Sequence, residues 1–252
     1  MQTRLWTTTI LTLLLGAAAG AAADFEAVFE AVFEDATLRV DYYPSGDAAS
    51  ERITIDRVLR QGSWAGSRTV LLDPFPFGGY LVEARDAASG ELLFSQGFDS
   101  YFGEYRTTGP AAAGVARTYH ESVLLPFPRR AIDLRFTARR RDGSRTVLAE
   151  SRIEPATAHA EPPARGALVV EAQVAAPPAQ ALDIAVLGEG YTAAELDAFR
   201  GDLRRAADAL LGFEPFAAHR GRINVRGVLL PSAESGCDEP SRGIFRDTAL
   251  GL

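Results

Sequence analysis

Hydrophobic and polar positions change rhythm twice along the chain. Between Ala36 and about Glu154 they alternate with period two. Leu38, Val40 and Tyr42 alternate with Arg39, Asp41 and Tyr43, and Ile53 and Ile55 with Thr54 and Asp56. Tyr80, Val82 and Ala84 alternate with Leu81, Glu83 and Arg85, and Ile132, Leu134 and Phe136 with Asp133, Arg135 and Thr137. A strand sends successive side chains to opposite faces, so this rhythm predicts strands with one buried face. Turn-forming runs fall between them: Pro44-Ser45-Gly46-Asp47, Gly78-Gly79, Ala88-Ser89-Gly90 and Asp142-Gly143. The Asp142-Gly143 pair predicts a type I′ turn joining the strand around Phe136 to one around Val147. About six to eight short strands with frequent turns predict a mainly β, antiparallel β-sandwich domain over residues 24–155.

Residues 156–180 are rich in proline and alanine, which predicts an exposed connector with one short strand at Ala167–Ala172. At Ala181 the rhythm changes again. The continuous apolar run Ile184–Leu187 predicts a strand buried on both faces. Thr192-Ala193-Ala194-Glu195 is a capping box, after which Leu196, Phe199, Leu203, Ala206 and Leu210 mark one apolar stripe of a helix ending near Gly212. Ile223–Leu230 then predicts a second strand. Strand, helix and strand form a βαβ unit, whose sheet needs further strands and a cover on its other face. Residues 181–252 are therefore expected to be an incomplete α/β unit.

The N-terminal 23 residues carry one arginine, Arg4, then an apolar run to Leu15 and small residues ending Ala21-Ala22-Ala23. That is the layout of a secretory signal peptide cleaved after Ala23, giving a secreted or periplasmic product with no integral membrane span. Phe25, Phe29 and Phe33 recur every four residues in FEAVFEAVFED, a spacing that would stack them on a helix. The plainer expectation is a frayed N-terminal arm.

Composition narrows the chemistry. The chain carries a formal charge of −7, which excludes nucleic acid as a main partner. A single cysteine, Cys237, excludes an intrachain disulfide framework and a Cys₄ zinc site. Three histidines, His120, His159 and His219, leave little room for a histidine metal site. His120-Glu121 begins like a zincin motif, but position 124 is leucine and the context reads as strand, so His120 is expected to pack or hydrogen-bond. Gly188-Glu189-Gly190 lacks the spacing of a phosphate loop, and a structural turn is the expected role even though Glu189 ends a strand, where α/β folds place ligands. Cys237 lies beside Asp238 and Glu239, which disfavour a thiolate nucleophile. Asp238, Glu239 and Asp247 are candidates for a hard cation such as calcium, with a solvated acidic loop as the default.

Several blocks, in order, resemble peptidase family M64, the IgA peptidase family. Leu38–Tyr43 with Ser45-Gly46-Asp47, Trp64–Arg68, Gly97–Tyr105, Arg117–Ser122 and Pro126-Phe127-Pro128 are similar to its N-terminal domain. Leu187–Thr192, Glu214-Pro215-Phe216 and Ile223-Asn224-Val225 are similar to the opening of its catalytic domain. The resemblance implies an exported zinc endopeptidase acting on protein or peptide substrates, with a β-sandwich before a metzincin-like domain. In that domain an H-E-x-x-H helix would hold zinc and its glutamate would activate water. This sequence contains no H-E-x-x-H. No catalytic, cofactor-binding or metal-ligating residue is carried over, no cofactor is expected in this chain, and it is expected to be inactive alone. The alternative is a non-enzymatic exported binding protein, with the C-terminal unit as a peptidase remnant; Trp64, Tyr101, Phe102 and Tyr105 could supply its contact surface, although such aromatics are more often core.

Overall fold

The structure, a computed structural model, describes residues 27–162 and 166–251. The signal-peptide expectation and Phe25 lie outside the described residues. The chain divides into two units, Met1–Glu161 and Pro162–Leu252. No helix among the described residues is long and apolar enough to cross a membrane.

The first unit is mainly β. One sheet has the order β5 (Arg117–Thr118), β1 (Phe33–Gly46), β2 (Glu51–Gln61), β9 (His159–Ala160), with β6 (Glu121–Pro128) also paired to β1. The other has the order β4 (Leu92–Phe98), β3 (Tyr80–Asp86), β7 (Ile132–Arg139), β8 (Arg145–Ile153). Every pairing is antiparallel except β2 with β9, a short parallel contact that departs from the expected all-antiparallel pattern. The inward residues of both sheets form one core, in which Leu38, Val40 and Tyr42 meet Val82, Leu134 and Phe136. The rings of Tyr42 and Phe136 lie 5.0 Å apart. Two sheets around one apolar layer are the physical content of a sandwich.

Two local expectations are corrected. The frayed arm is instead a helix, α1 (27–32), running into β1, with Phe29 and Phe33 buried in the core at 5.6 Å from each other. Arg129 donates Nε to the Glu30 carbonyl at 2.7 Å and its N–H to that of Val32 at 2.9 Å. Burying two phenylalanines overrides fraying, at about 1.5–3 kcal/mol each. The Asp142-Gly143 hairpin is not type I′, since that turn needs two left-handed residues and no described non-glycine residue has a positive φ. Gly143 alone is left-handed (φ 84), inside a longer turn closed by the Arg140 N–H on the Ser144 carbonyl at 2.7 Å.

Turn carboxylates do much of the local work. Asp47 accepts from the N–H of Ala49 and Ser50, and Asp86 from those of Ala88 and Ser89. These bonds, together with the Ser50 and Ser89 hydroxyls, hold both carboxyls below the ordinary range, and the Ser144 hydroxyl and N–H do the same for Asp142. The unfolded chain then binds more protons than the folded one at low pH. The stability these turns contribute is complete above the ordinary carboxylate pKa of about 4 and is lost progressively as the pH falls from there through the lowered values of the folded protein. Thermal melts from pH 6 to pH 3 should show a midpoint that drops below about pH 4.5; a flat or rising midpoint would remove this account.

The second unit holds β10 (Leu168–Gln173), β11 (Leu182–Gly188), α4 (Leu196–Leu211) and β12 (Ile223–Leu229); helices α2 and α3 belong to the first unit and are described below. The sheet order is β10-β12-β11, with β11 parallel and β10 antiparallel to β12. β10 falls in the segment read as a connector, at the place expected for its short strand. Val225, Leu203, Ala207 and Leu211 form the core between sheet and helix. The helix stripe is Phe199, Leu203, Ala207 and Leu211, not the expected one through Ala206 and Leu210, because positions four apart align on the buried side. The expectation that β11 is buried on both faces also fails: Ile184 and Val186 pack on the core with α4, whereas Ala185 and Leu187, on the opposite face, are exposed, Leu187 by 62%. The central β12 is the buried strand.

Candidate functional site

The first unit's polar chemistry gathers on the outer face of β1. Alternation places Arg39, Asp41 and Tyr43 outward, yet Asp41 is fully buried. A bulge explains this. Asp41 pairs with Arg57 while Tyr42 pairs with Ile55, so Asp56 is the extra residue of β2 and is turned toward the same spot. Asp41 accepts from Arg39 Nε at 2.6 Å and from Arg57 Nη2 at 2.8 Å. His120 stacks on Tyr43 at 4.7 Å between ring centres and sets Nε2 3.2 Å from Asp56 Oδ2. Arg39 continues to Glu161 at 2.9 Å. Sequence reading missed this cluster, although the two-residue spacing of Arg39 and Asp41 on one strand is a readable signal.

Asp41, Asp56 and His120 offer one ligand atom each within 4.8 Å of one another, the grouping among the described residues that could hold a metal. The donor set does not fit zinc. Both oxygens of Asp41 already face guanidinium groups, so an ion there would sit beside two fixed positive charges. Zinc sites are built from thiolate, imidazole and carboxylate in a tetrahedron, and here the one imidazole, His120, and the second carboxylate, Asp56, are themselves paired, Asp56 Oδ2 lying 3.2 Å from His120 Nε2 and 3.4 Å from Arg57 Nε. The residues form an ion-pair network joining β1, β2 and the start of β6.

The glutamate of the His120-Glu121 pair has another task. Its Oε2 accepts the Tyr42 hydroxyl at 2.9 Å and its Oε1 the Phe102 N–H at 3.0 Å. Burial, and then the Glu121 carboxylate beside it, push the Tyr42 phenol well above its ordinary range. Glu51 is the counterpart on β2. It pairs with Arg106, and burial followed by the Glu51 hydrogen bond raises the Tyr80 phenol. Two carboxylates thus pin α2 (Tyr101–Tyr105), which Ser100 caps by accepting from the Gly103 N–H at 3.0 Å, to the edge of the core. Behind it, Phe102, Tyr105 and Ala111 of α3 (Gly109–Ala112) form a satellite core. Of the four aromatics considered for a contact surface, Trp64, Phe102 and Tyr105 are buried, the commoner role expected of them, and Tyr101 is exposed. Tyr101 lines an open cleft of about 670 Å³ with Asp99, Glu104 and Arg139.

In the second unit, Gly188 ends β11, and it and the loop to Thr192 organise residues 231–251. Gly188 leaves no room for a Cβ, which would meet the Phe199 ring at 2.7 Å. Glu189 accepts from the Leu250 N–H at 3.2 Å. The Gly190 carbonyl accepts from the Gly236 N–H at 2.9 Å and that of Tyr191 from the Ser232 N–H at 2.8 Å. The Tyr191 hydroxyl donates to Asp202 on α4 at 2.8 Å. Glu195 closes the capping box with Thr192 and accepts the Ser235 hydroxyl at 2.8 Å; the Thr192 N–H, Ser235 and Thr192 hydroxyls lower its pKa. Through these bonds the loop holds residues 231–251 against β11 and α4.

Two of the three acidic residues considered for calcium have their carboxylates engaged locally: Asp238 accepts from the Arg246 N–H at 2.7 Å and Glu239 from Arg242 at 2.8 Å, while Asp247 takes part through its backbone N–H, which donates to Glu234. Cys237 is exposed, and His219 lies on a separate 3₁₀ segment, Ala217–Arg222. In the Glu214-Pro215-Phe216 block the Glu214-Pro215 peptide is cis and Phe216 packs on the helix–sheet core.

Comparison with known families now adds to this geometry. The profile of the peptidase M64 N-terminus matches residues 28–149, and that of IgA peptidase M64 matches residues 170–252. No curated protein matches the chain. The two matches fall one on each structural unit, and the chain belongs to peptidase family M64.

Proposed function

We propose that the chain contributes the β module and an α/β segment of metzincin type to an exported zinc endopeptidase, and that residues 24–252 alone do not hydrolyse peptides. The observation that carries this reading is the ordered match of two M64 profiles to two separate units. Lack of activity is supported by donor chemistry. The three histidines lie 39 or more residues apart in sequence, His120 to His159 being the nearer pair. The acid–histidine grouping around Asp41 is neutralised by Arg39 and Arg57. In this reading the β module supports the folding of the catalytic part or presents its substrate, and substrates are proteins or peptides.

Protein recovered after export, expected to begin at Asp24, should be dialysed against zinc, analysed for metal and assayed on unfolded casein. No stoichiometric zinc and no chelator-sensitive cleavage are expected. One tightly held zinc per chain together with cleavage that a chelator stops would overturn the inactivity.

A further inference from the structure

One end of the second sheet in the first unit combines two features that occur together nowhere else among the described residues. The loop before β3, Asp73-Pro74-Phe75-Pro76-Phe77-Gly78-Gly79, exposes two phenylalanines. Phe75 is 68% and Phe77 74% exposed, and their rings stand 6.1 Å apart and 12° from parallel. The loop is firmly seated. Asp73 accepts from the N–H of Phe75 and of Gly97, both at 2.9 Å, and donates its own N–H to Ser95 Oγ at 3.0 Å. The backbone lies so close to β4 that a Cβ on Gly97 would meet the Phe77 carbonyl at 2.2 Å. The two rings are therefore presented by a fixed backbone.

Beside it runs the β7–β8 hairpin, Arg139-Arg140-Arg141-Asp142-Gly143-Ser144-Arg145. The Arg139 N–H donates to the Gly79 carbonyl at 2.7 Å and Arg145 Nη2 to the Pro76 carbonyl at 3.3 Å, so hairpin and loop share one edge. Arg139 and Arg141 are exposed. Carboxylates lie nearby and keep their charge: Asp73 accepts from the loop, Asp142 from Ser144, and Asp99 from the Gly79 N–H at 2.7 Å, while Glu104 shares the neighbouring cleft with Arg139; within the hairpin itself Asp142 offsets one arginine of four. In a chain of net charge −7, four arginines within seven residues beside a bare aromatic pair are a local reversal.

We infer that this edge docks on an anionic lipid bilayer, with Phe75 and Phe77 inserting at the headgroup–acyl boundary and the Arg139–Arg145 hairpin facing acidic headgroups. A bilayer suits the geometry better than a protein does. Two exposed rings projecting from a loop need no shaped pocket in lipid, and stable peripheral binding takes apolar insertion plus a basic patch. The chain's overall negative charge does not cancel this, because charges beyond about 10 Å are screened at 0.1 M salt.

The test uses the chain from Asp24, which keeps every described residue, in co-sedimentation with vesicles of phosphatidylcholine alone or with 30% phosphatidylserine at 0.1 M salt. Binding to the anionic vesicles only is expected. Arg139→Gln with Arg141→Gln should weaken it about thirtyfold, at about 1 kcal/mol per arginine. Phe75→Ala with Phe77→Ala should weaken it at least as much. These side chains are exposed, so unchanged thermal midpoints are expected and separate lost docking from lost folding. No binding to anionic vesicles, or equal binding by the wild type and both variants, overturns the inference. Binding to soluble polyglutamate that survives the phenylalanine changes, without vesicle binding, also overturns it and assigns the arginines to an acidic polypeptide.

Discussion

Gly190→Ala is expected to detach residues 231–251 from the loop that follows β11. Gly190 has φ 73, and a Cβ there would lie 2.0 Å from the Gly236 carbonyl oxygen, which is backbone and cannot rotate aside. The left-handed conformation alone costs alanine about 1–2 kcal/mol. Relieving the clash also breaks the Gly236-to-Gly190 hydrogen bond, so a total of about 3 kcal/mol is expected. Arg242 and Arg246, already exposed, then lie in a segment free to take the extended conformation that trypsin cuts, and cleavage there should be at least tenfold faster than in the wild type. Gly201→Ala on α4 is the control. Its Cβ would meet only Arg205 Nη1 at 3.6 Å, and removing a helical glycine should stabilise by about 1 kcal/mol. Equal trypsin rates for Gly190→Ala and the wild type would show that the loop does not hold the C-terminal segment.

Glu121→Ala is expected to be the costliest polar substitution in the first unit. It leaves the Tyr42 hydroxyl and the Phe102 N–H without their acceptor, and both residues are buried in or against the core. An unpaired buried donor costs about 1–3 kcal/mol, so about 2–5 kcal/mol in all and a thermal midpoint roughly 10 °C lower follow. Tyr42→Phe removes one donor together with its partner's need for it and should lose about 1 kcal/mol. A further readout separates this from simple packing loss: without the neighbouring carboxylate the Tyr42 phenol should ionise at lower pH, visible in its ultraviolet titration. A Glu121→Ala protein as stable as Tyr42→Phe would mean that α2 is not held through this carboxylate.

The legibility of the fold divides along a physical line. The strands β1, β3 and β7 could be read because each has one face in a shared core, and that face forces period-two alternation. The capping box at Thr192 could be read because its partners are three residues apart. The turn at Asp142-Gly143 was misjudged in type because the pair fits more than one hairpin, and the closure at Arg140 and Ser144 selects among them. The α1 helix is hidden from local pattern because Phe29 within it, and Phe33 after it, gain their burial from strands distant in sequence.

The polar sites show the same division more sharply. Glu121 stood out in the sequence beside His120, and its neighbours there suggested metal chemistry. Its real partners, Tyr42 and Phe102, are 79 and 19 residues away. Asp41 reads in the sequence as an outward polar position with Arg39 two residues before it, and its second arginine, Arg57, and the bulge that faces it lie on another strand, out of reach of local pattern.

By itself, the sequence determined the β character of the first unit, the strand–helix–strand order of the second, the family, and the absence of an H-E-x-x-H pair, because these depend on residue order and short-range periodicity. Tertiary structure alone decided which charges are buried, which aromatics are core and which are bare, and that Phe75 and Phe77 share an edge with the Arg139–Arg145 hairpin. Those properties depend on strands brought together across tens of residues, and a one-dimensional pattern carries no record of such distances.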